Sequence, residues 1–310
     1  MEAPKKPTTR QSTKKGLSRL QKKMEEGNFY EAQQLVKLLL HRFSSQKNLS
    51  EAENILLSGM DSMLAHQQYR NASELGLLLV KLYSENHVAL AEEKKALLLA
   101  QYEKYPPEVD EGKVEFLKAA IKYSTKAESN SNTPNGEPRF HNALASYFLN
   151  ITKDWGQAQR HFVRSGNPQG FTEMLLAAAE EGGNLEVEDD LFLARAVLQY
   201  LCLSNWKDAI TLFQLYCASH PAAATSPLSN FIRFLLATVQ HRTAGTTFQT
   251  LRTKYKPSIQ RDPTFEQYLD RIGEIFFGIK PQTQAGGLGG LLNGFLQAFL
   301  SPEENEGSSS

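Results

Sequence analysis

A short phrase recurs along this chain: an aromatic residue or Leu, two intervening residues, an Ala, then an apolar residue three or four positions on. Phe29-Tyr30-Glu31-Ala32 is the first copy, Leu49-Ser50-Glu51-Ala52 the second and Tyr69-Arg70-Asn71-Ala72 the third. Trp155-Gly156-Gln157-Ala158 and Trp206-Lys207-Asp208-Ala209 come much later. The first three lie twenty residues apart, about one helix plus a turn. A large residue and an Ala at i, i+3 fall on one helix face, and a large knob beside a small hole lets a neighbouring helix approach closely. Stacked helix pairs need that at each layer, so a repeat of this kind points to a solenoid.

The chain has 310 residues, beyond the size at which a single core usually keeps growing, which leaves two compact domains or one extended array. No stretch alternates Val, Ile or Thr in the manner of a strand. The expected fold is therefore all-α, a tetratricopeptide-like α-solenoid of about seven helix pairs. Acidic and basic residues balance at 34 each, so overall charge does not point to nucleic acid. Cys202 and Cys217 have no C-x-x-C spacing, which fits a reducing compartment. The first fifteen residues are basic and nearly free of large apolar side chains, unlike a signal peptide, and the apolar run Leu77 to Val80 is too short to span a bilayer. The expectation is a cytosolic protein without direct membrane insertion.

Taken in order, residues 1–15 read as a disordered basic tail and 16–300 as one α-solenoid. Leu17, Leu20 and Met24 share the face of a first helix that Gly27 ends, and Arg19 and Lys23 form a basic stripe opposite. Ser50 and Glu53 have the spacing of a capping box. The polar stretch 124–138 is a loop within the array, because Trp155 resumes the phrase beyond it. It separates an N-terminal half, 16–123, from a C-terminal half, 139–300. Asp262-Pro263 reads as a helix start and Gly278 as a stop. A glycine-rich hinge then leads to Leu288, Leu291, Leu292, Phe295, Leu296, Phe299 and Leu300, an apolar stripe of helical period. Residues 301–310 form an acidic disordered tail.

Catalytic patterns are missing. The seven histidines make neither H-E-x-x-H nor a Cys/His cluster, there is no G-x-S-x-G, and Gly286-Gly287-Leu288-Gly289-Gly290 lacks the Lys-Ser/Thr of a phosphate loop. Asp189 and Asp190 are adjacent, so they diverge on a helix and read as N-terminal helix charges. The expectation is a non-enzyme with no cofactor and no metal, acting through surfaces. The Leu288–Leu300 stripe must be buried on its own repeats or on a partner.

Several segments resemble a known family. Gly27-Asn28-Phe29-Tyr30-Glu31-Ala32 with His41-Arg42-Phe43, Ala196 to Leu203, and above all Tyr268-Leu269-Asp270-Arg271-Ile272-Gly273-Glu274-Ile275-Phe276-Phe277-Gly278 are similar to the solenoid adaptor, factor four, of the guided entry of tail-anchored proteins pathway. The likeness runs in order over about residues 17–300. It implies a cytosolic, non-catalytic adaptor that bridges a pre-targeting chaperone scaffold to the targeting ATPase delivering tail-anchored proteins to the endoplasmic reticulum. The N-terminal half would hold the ATPase and the C-terminal half the scaffold, a ubiquitin-like protein in fungi or a large BAG-domain protein in animals. By the family's pattern Arg19, Lys23 and Glu74 face the ATPase, while Lys81 stands where a second acid is expected. Fungal members carry a hairpin-forming insertion after the position of His220-Pro221; here only a short Ala/Ser/Pro connection follows. On the scaffold side Leu291, Leu292, Phe295 and Phe299 are the anchors the stripe offers. Two competing readings are a nucleic-acid-associated helical repeat, which needs basic residues over several repeats, and a generic tetratricopeptide carrier of peptide tails, which needs Arg and Asn along a concave groove.

Overall fold

A computed structural model of the chain describes residues 9–127, 134–181, 189–241 and 243–280. Fifteen α-helices occupy them, with one π-helical and one 3-10 turn and no strand among the described residues. The all-α expectation holds. The fold divides into two units, residues 1–140 and 141–310.

In the first unit the twenty-residue period is literal. Helices α1 (Thr9–Glu25), α2 (Phe29–Ser45), α3 (Leu49–Ala65) and α4 (Tyr69–Glu85) each have 17 residues. The period also sets the corners. Gly27, Lys47, Gln67 and His87 all adopt positive φ, at 73°, 53°, 59° and 49°. After each, the next amide reaches back to a carbonyl of the last helical turn: Asn28 to Lys23, Asn48 to Phe43, Gln68 to Met63 and Val88 to Tyr83, at 2.8–3.0 Å. This is the left-handed helix stop, which satisfies carbonyls left over at a helix end. Only the first corner has the glycine that reveals it in sequence.

The alanines of the phrase are where the helices meet. Ala32, Ala52 and Ala72 in this unit, and Ala158 and Ala209 in the other, are fully buried. Gly59 and Gly76 serve the same purpose: a Cβ on Gly76 would stand 2.8 Å from Phe116, and one on Gly59 3.0 Å from Leu75 and Val36. α5 (Glu92–Glu103) and α6 (Lys113–Ala127) complete the unit, α6 packing on α4. Glu53 ties three helices, accepting from the Tyr83 hydroxyl at 2.9 Å and pairing with Lys94.

Two local expectations change here. α1 begins at Thr9, so residues 9–15 are helical rather than part of a tail. Thr13 is buried, 3% exposed, and Gly16 just beyond packs under Leu39, and such small residues leave no apolar periodicity to read. The capping box at Ser50 is not formed. Lys47 turns the chain early enough that Asn48 caps α3, its side chain accepting from Glu51 N, and Glu53 is free to bind Tyr83 and Lys94 instead.

The second unit contains most of α7 (Pro138–Tyr147), a π-helical turn over Phe148–Thr152, α8 (Trp155–Phe162), α9 (Pro168–Glu181) and α10 (Asp189–Cys202). α11 (Trp206–Ser219), α12 (Pro227–Thr238), α13 (Gly245–Lys254), α14 (Lys256–Ile259) and α15 (Phe265–Phe277) follow. α10 is the centre. Leu193 to Cys202 is buried apart from Arg195, and the helix packs on α9, α11, α12 and α15, as a helix apolar on most sides must. Its N-terminal carboxylates diverge as expected, with partners the sequence does not disclose: Asp189 meets His220 at 2.8 Å, and Asp190 meets Arg261 at 2.7 Å. Arg195, one turn on, pairs with Asp262 at 2.6 Å. Asp190/Arg195 and Arg261/Asp262 thus form two ion pairs of opposite sense across the same contact. The connection after His220 is a 3-10 turn, Ala223–Thr225, capped into α12 by Ser226. Asp262 does not start α15 directly. Its side chain takes Thr264 N at 2.8 Å in a turn, and the helix begins at Phe265.

Candidate partner-binding surfaces

On α1 the buried residues Thr13, Gly16, Leu20 and Met24 point into the bundle, and Arg19 lies exposed on the other side. Lys23 is different. It is half-buried and paired with Glu31 of α2, so the two members of the basic stripe are not equivalent. Glu74 sits on α4 against α2, accepting from Lys37 at 3.0 Å and Gln33 at 2.9 Å. The hydrogen bond from Lys37 holds its carboxyl below the usual carboxylate range, with Gln33 adding to it against the opposing effect of burial. Lys23 and Glu74 both rest on α2, at Glu31 in the one case and at Gln33 and Lys37 in the other.

Beside Glu74 lies a groove the sequence did not indicate. It runs between α2 and α4 and encloses about 650 Å³. Leu40, Leu77, Leu78 and Leu82 form its apolar wall, with Leu77 38% exposed. The Lys37–Glu74 pair lies along it, as do His41 and a second pair, Lys81–Glu85, at 3.7 Å. Helical periodicity marks these leucines only as core, because it specifies a face and not how far apart the facing helices stand. No Arg or Asn lines the groove, so it lacks the clamp a carrier of peptide tails requires. Several lysines that follow α1 are paired with acids: Lys94 with Glu53, Lys95 with Glu137 and Lys104 with Asp61. These three do not add to the unneutralised basic surface nucleic acid requires.

Leu291, Leu292, Phe295 and Phe299, and the whole Leu288–Leu300 stripe, lie outside the described residues. Cys202 is buried, its thiol pushed up by desolvation, with Sγ 3.6 Å from the Tyr268 carbonyl. His141 and His161 come together with Nδ1 atoms 2.9 Å apart in a buried site, Phe148 stacked on His161. Among the described residues, no three His, Cys, Asp or Glu side chains gather where they could hold a metal ion. No described helix is long and apolar enough to cross a membrane.

The described residues define an all-helical fold whose distinctive exposed features are the charged face of α1 and the groove beside Glu74. Residues 46–296 match the family model described as GET4, Golgi to ER traffic protein 4. The Golgi to ER traffic protein 4 homolog of Dictyostelium discoideum is 36% identical over 283 residues, covering 91% of this chain and 89% of that protein. The Homo sapiens homolog is 34% identical over 295 residues, covering 93% and 87%. Among solved structures, the crystal structure of C. therm. Get4 superposes with a TM-score of 0.75 at 23% identity, covering 95% of this chain and 99% of that one, a likeness of fold. The chain belongs to the Golgi to ER traffic protein 4 family, and this membership connects it to the GET pathway.

Proposed function

We propose that the chain is a non-catalytic cytosolic adaptor that bridges a pre-targeting chaperone scaffold to the targeting ATPase for insertion of tail-anchored proteins into the endoplasmic reticulum membrane. Family membership over most of the chain is the observation that carries this reading. Residues 16–123 hold the ATPase, with Arg19 and Lys23 on α1 and Glu74 on α4 meeting it. Residues 139–300 hold the scaffold, a BAG-domain protein or a ubiquitin-like partner. The absence from this chain of the fungal insertion after His220-Pro221 favours the BAG-domain type. Leu291, Leu292, Phe295 and Phe299 are its anchors. Burying one such side chain contributes about 1.5–3 kcal/mol, whereas a charge there cannot be buried unpaired.

Paired pull-downs with each purified partner test the arrangement. Arg19→Glu is the cleaner ATPase-side variant, because Lys23→Glu also removes the internal pair with Glu31. It should weaken the ATPase and spare the scaffold, and ATPase binding should fall with added salt. Leu292→Asp should do the reverse. ATPase binding insensitive to both salt and Arg19→Glu would place the ATPase elsewhere, and scaffold binding retained by Leu292→Asp would remove the stripe from the interface.

A further inference from the structure

The end of the second unit carries a lopsided charge. From Ala209 to Arg261 there is no Asp or Glu, and there are six Lys and Arg. Two of the six are neutralised from outside the stretch, Arg252 by Asp270 and Glu266, and Arg261 by Asp190. Lys254 and Lys256 are exposed and meet no acid among the described residues. The outer face of α13 leads to them. Thr246, Gln249, Thr250 and Thr253 are exposed and follow one another at i, i+3, i+4 and i+7, a single stripe. Thr250 and Thr253 donate their hydroxyls to the carbonyls of Thr246 and Gln249, at 2.9 and 3.0 Å, so the stripe offers a neighbour methyl surface rather than free hydroxyls. An open hollow of about 370 Å³ lies over Gln249, Thr250, Thr253 and Lys254. α15 runs antiparallel to α13: Arg252 pairs with Glu266 and Asp270 near the start of α15, whereas a Cβ on Gly245 would stand 3.7 Å from Phe277 and Ile279 at its other end. The chain therefore leaves α15 beside the first residue of α13, where Phe276, Phe277 and Ile279 are only partly buried.

We propose that the outer face of α13 is the docking site of this chain's own C-terminal segment, residues 288–306, with an apolar edge over the threonines and an acidic end on Lys254 and Lys256. Reach, length and charge support it. From Lys280 the segment 281–287 can span about 24 Å, enough to reverse direction. Read as a helix, 288–300 is about 20 Å long, against about 15 Å for α13. A segment that turns back along α13 thus delivers Glu303, Glu304 and Glu306 to Lys254 and Lys256. Residues 281–310 contain no Lys or Arg, the complement of the acid-free stretch. At helical spacing the seven apolar residues of 288–300 cover about half the circumference, with Leu296 and Leu300 on one edge. These two face α13 and leave Leu291, Leu292, Phe295 and Phe299 to the scaffold. The contact needs no partner, so it stands or falls independently of the adaptor reading.

The test uses the full chain alone. A zero-length carbodiimide joins an amine to a carboxylate in direct contact, with loss of water. Mass spectrometry on a mixture of heavy-nitrogen-labelled and unlabelled chain then separates links within one chain from links between two. Lys254 or Lys256 should be linked to Glu303, Glu304 or Glu306 within one chain. Amide exchange of α13 is the second readout. Leu296→Asp/Leu300→Asp should speed it by about tenfold or more, because a charge cannot be buried unpaired against the threonine face. Lys254→Glu/Lys256→Glu should speed it by about threefold, and adding Glu303→Lys/Glu304→Lys to that variant should restore it. Unchanged exchange in α10 shows in each case that the unit stays folded. Absence of within-chain links, with α13 exchange unmoved by these variants, overturns the proposal. Links found only between chains also overturn it and make the occupant a second copy. Protection of α13 that arises only when the scaffold protein is added overturns it in favour of that partner.

Discussion

The corners of the first unit make a sharp energetic prediction. Lys47, Gln67 and His87 hold φ of 53°, 59° and 49°, a region where an L side chain crowds its own backbone at a cost of about 1–2 kcal/mol. Glycine removes that cost but gives the unfolded chain more freedom, worth about 0.5–1 kcal/mol against folding. The difference favours glycine by about 0.5 kcal/mol at each corner, and the triple variant Lys47→Gly/Gln67→Gly/His87→Gly by about 1.5 kcal/mol if the sites act independently. Urea unfolding followed by far-UV circular dichroism measures it. Trp155 and Trp206, the only tryptophans, both lie beyond residue 141, so their fluorescence reports the second unit and serves as an internal control. The variant should raise the dichroism midpoint and leave the fluorescence midpoint in place. Lys47→Ala separates backbone from side chain: Ala bears the same strain as Lys, so it should be nearly neutral. A triple variant that is unchanged or less stable would refute the reasoning and show that side-chain contacts at these corners outweigh the backbone term.

Further outcomes follow from other contacts. Gly76→Val should destabilise by about 1–3 kcal/mol in thermal unfolding, because the added carbons meet the buried Phe116 ring within 2.8 Å. Asp262→Ala should cost about 2–3 kcal/mol, losing both the Arg195 pair and the turn at Thr264. Burial alone would raise the Asp262 carboxyl, but hydrogen bonds from Thr264 and Arg195 prevail and hold it below its ordinary 3.8. Its contribution is therefore present above that value and is lost as pH falls through the lower folded-state one. Acid titration of stability should show a shallower loss in Asp262→Asn than in the unmodified chain. Lys113 is buried and donates to the carbonyls of Pro106 and Pro107 at 2.9 and 2.6 Å, while desolvation lowers its pKa. Lys113→Met should loosen the 106–112 loop, read as faster amide exchange there, since the carbonyls of Pro106 and Pro107 lose their shared donor.

The architecture was legible where large and small residues alternate in register. All five alanines of the recurring phrase are fully buried, and the twenty-residue period is the period of the helices. Gly278 stops α15 in the left-handed region as its sequence suggests. Legibility failed where small or unusual residues do the same work. Thr13 and Gly16 hide the start of α1, and Lys47, Gln67 and His87 fill corners that glycine would have announced. It failed again where the answer depends on another helix. Glu53 looks like a cap and is a three-helix tie, Lys23 looks free on its own helix and meets Glu31, and the groove beside Glu74 exists only because α2 and α4 stand apart there.

Equal helices joined by equal corners also bear on how the first unit is made. α1 packs on α2 and α3, α2 on α3, and α3 on α4, so the principal neighbours of each helix are already within one or two elements of it in the chain. Such a topology keeps contact order low and loop-closure entropy small. As the chain leaves the ribosome N-terminus first, each helix of about 17 residues finds its predecessor waiting and need not be held open for a distant partner. The unit should therefore assemble in step with synthesis, exposing only one helix face at a time to solvent.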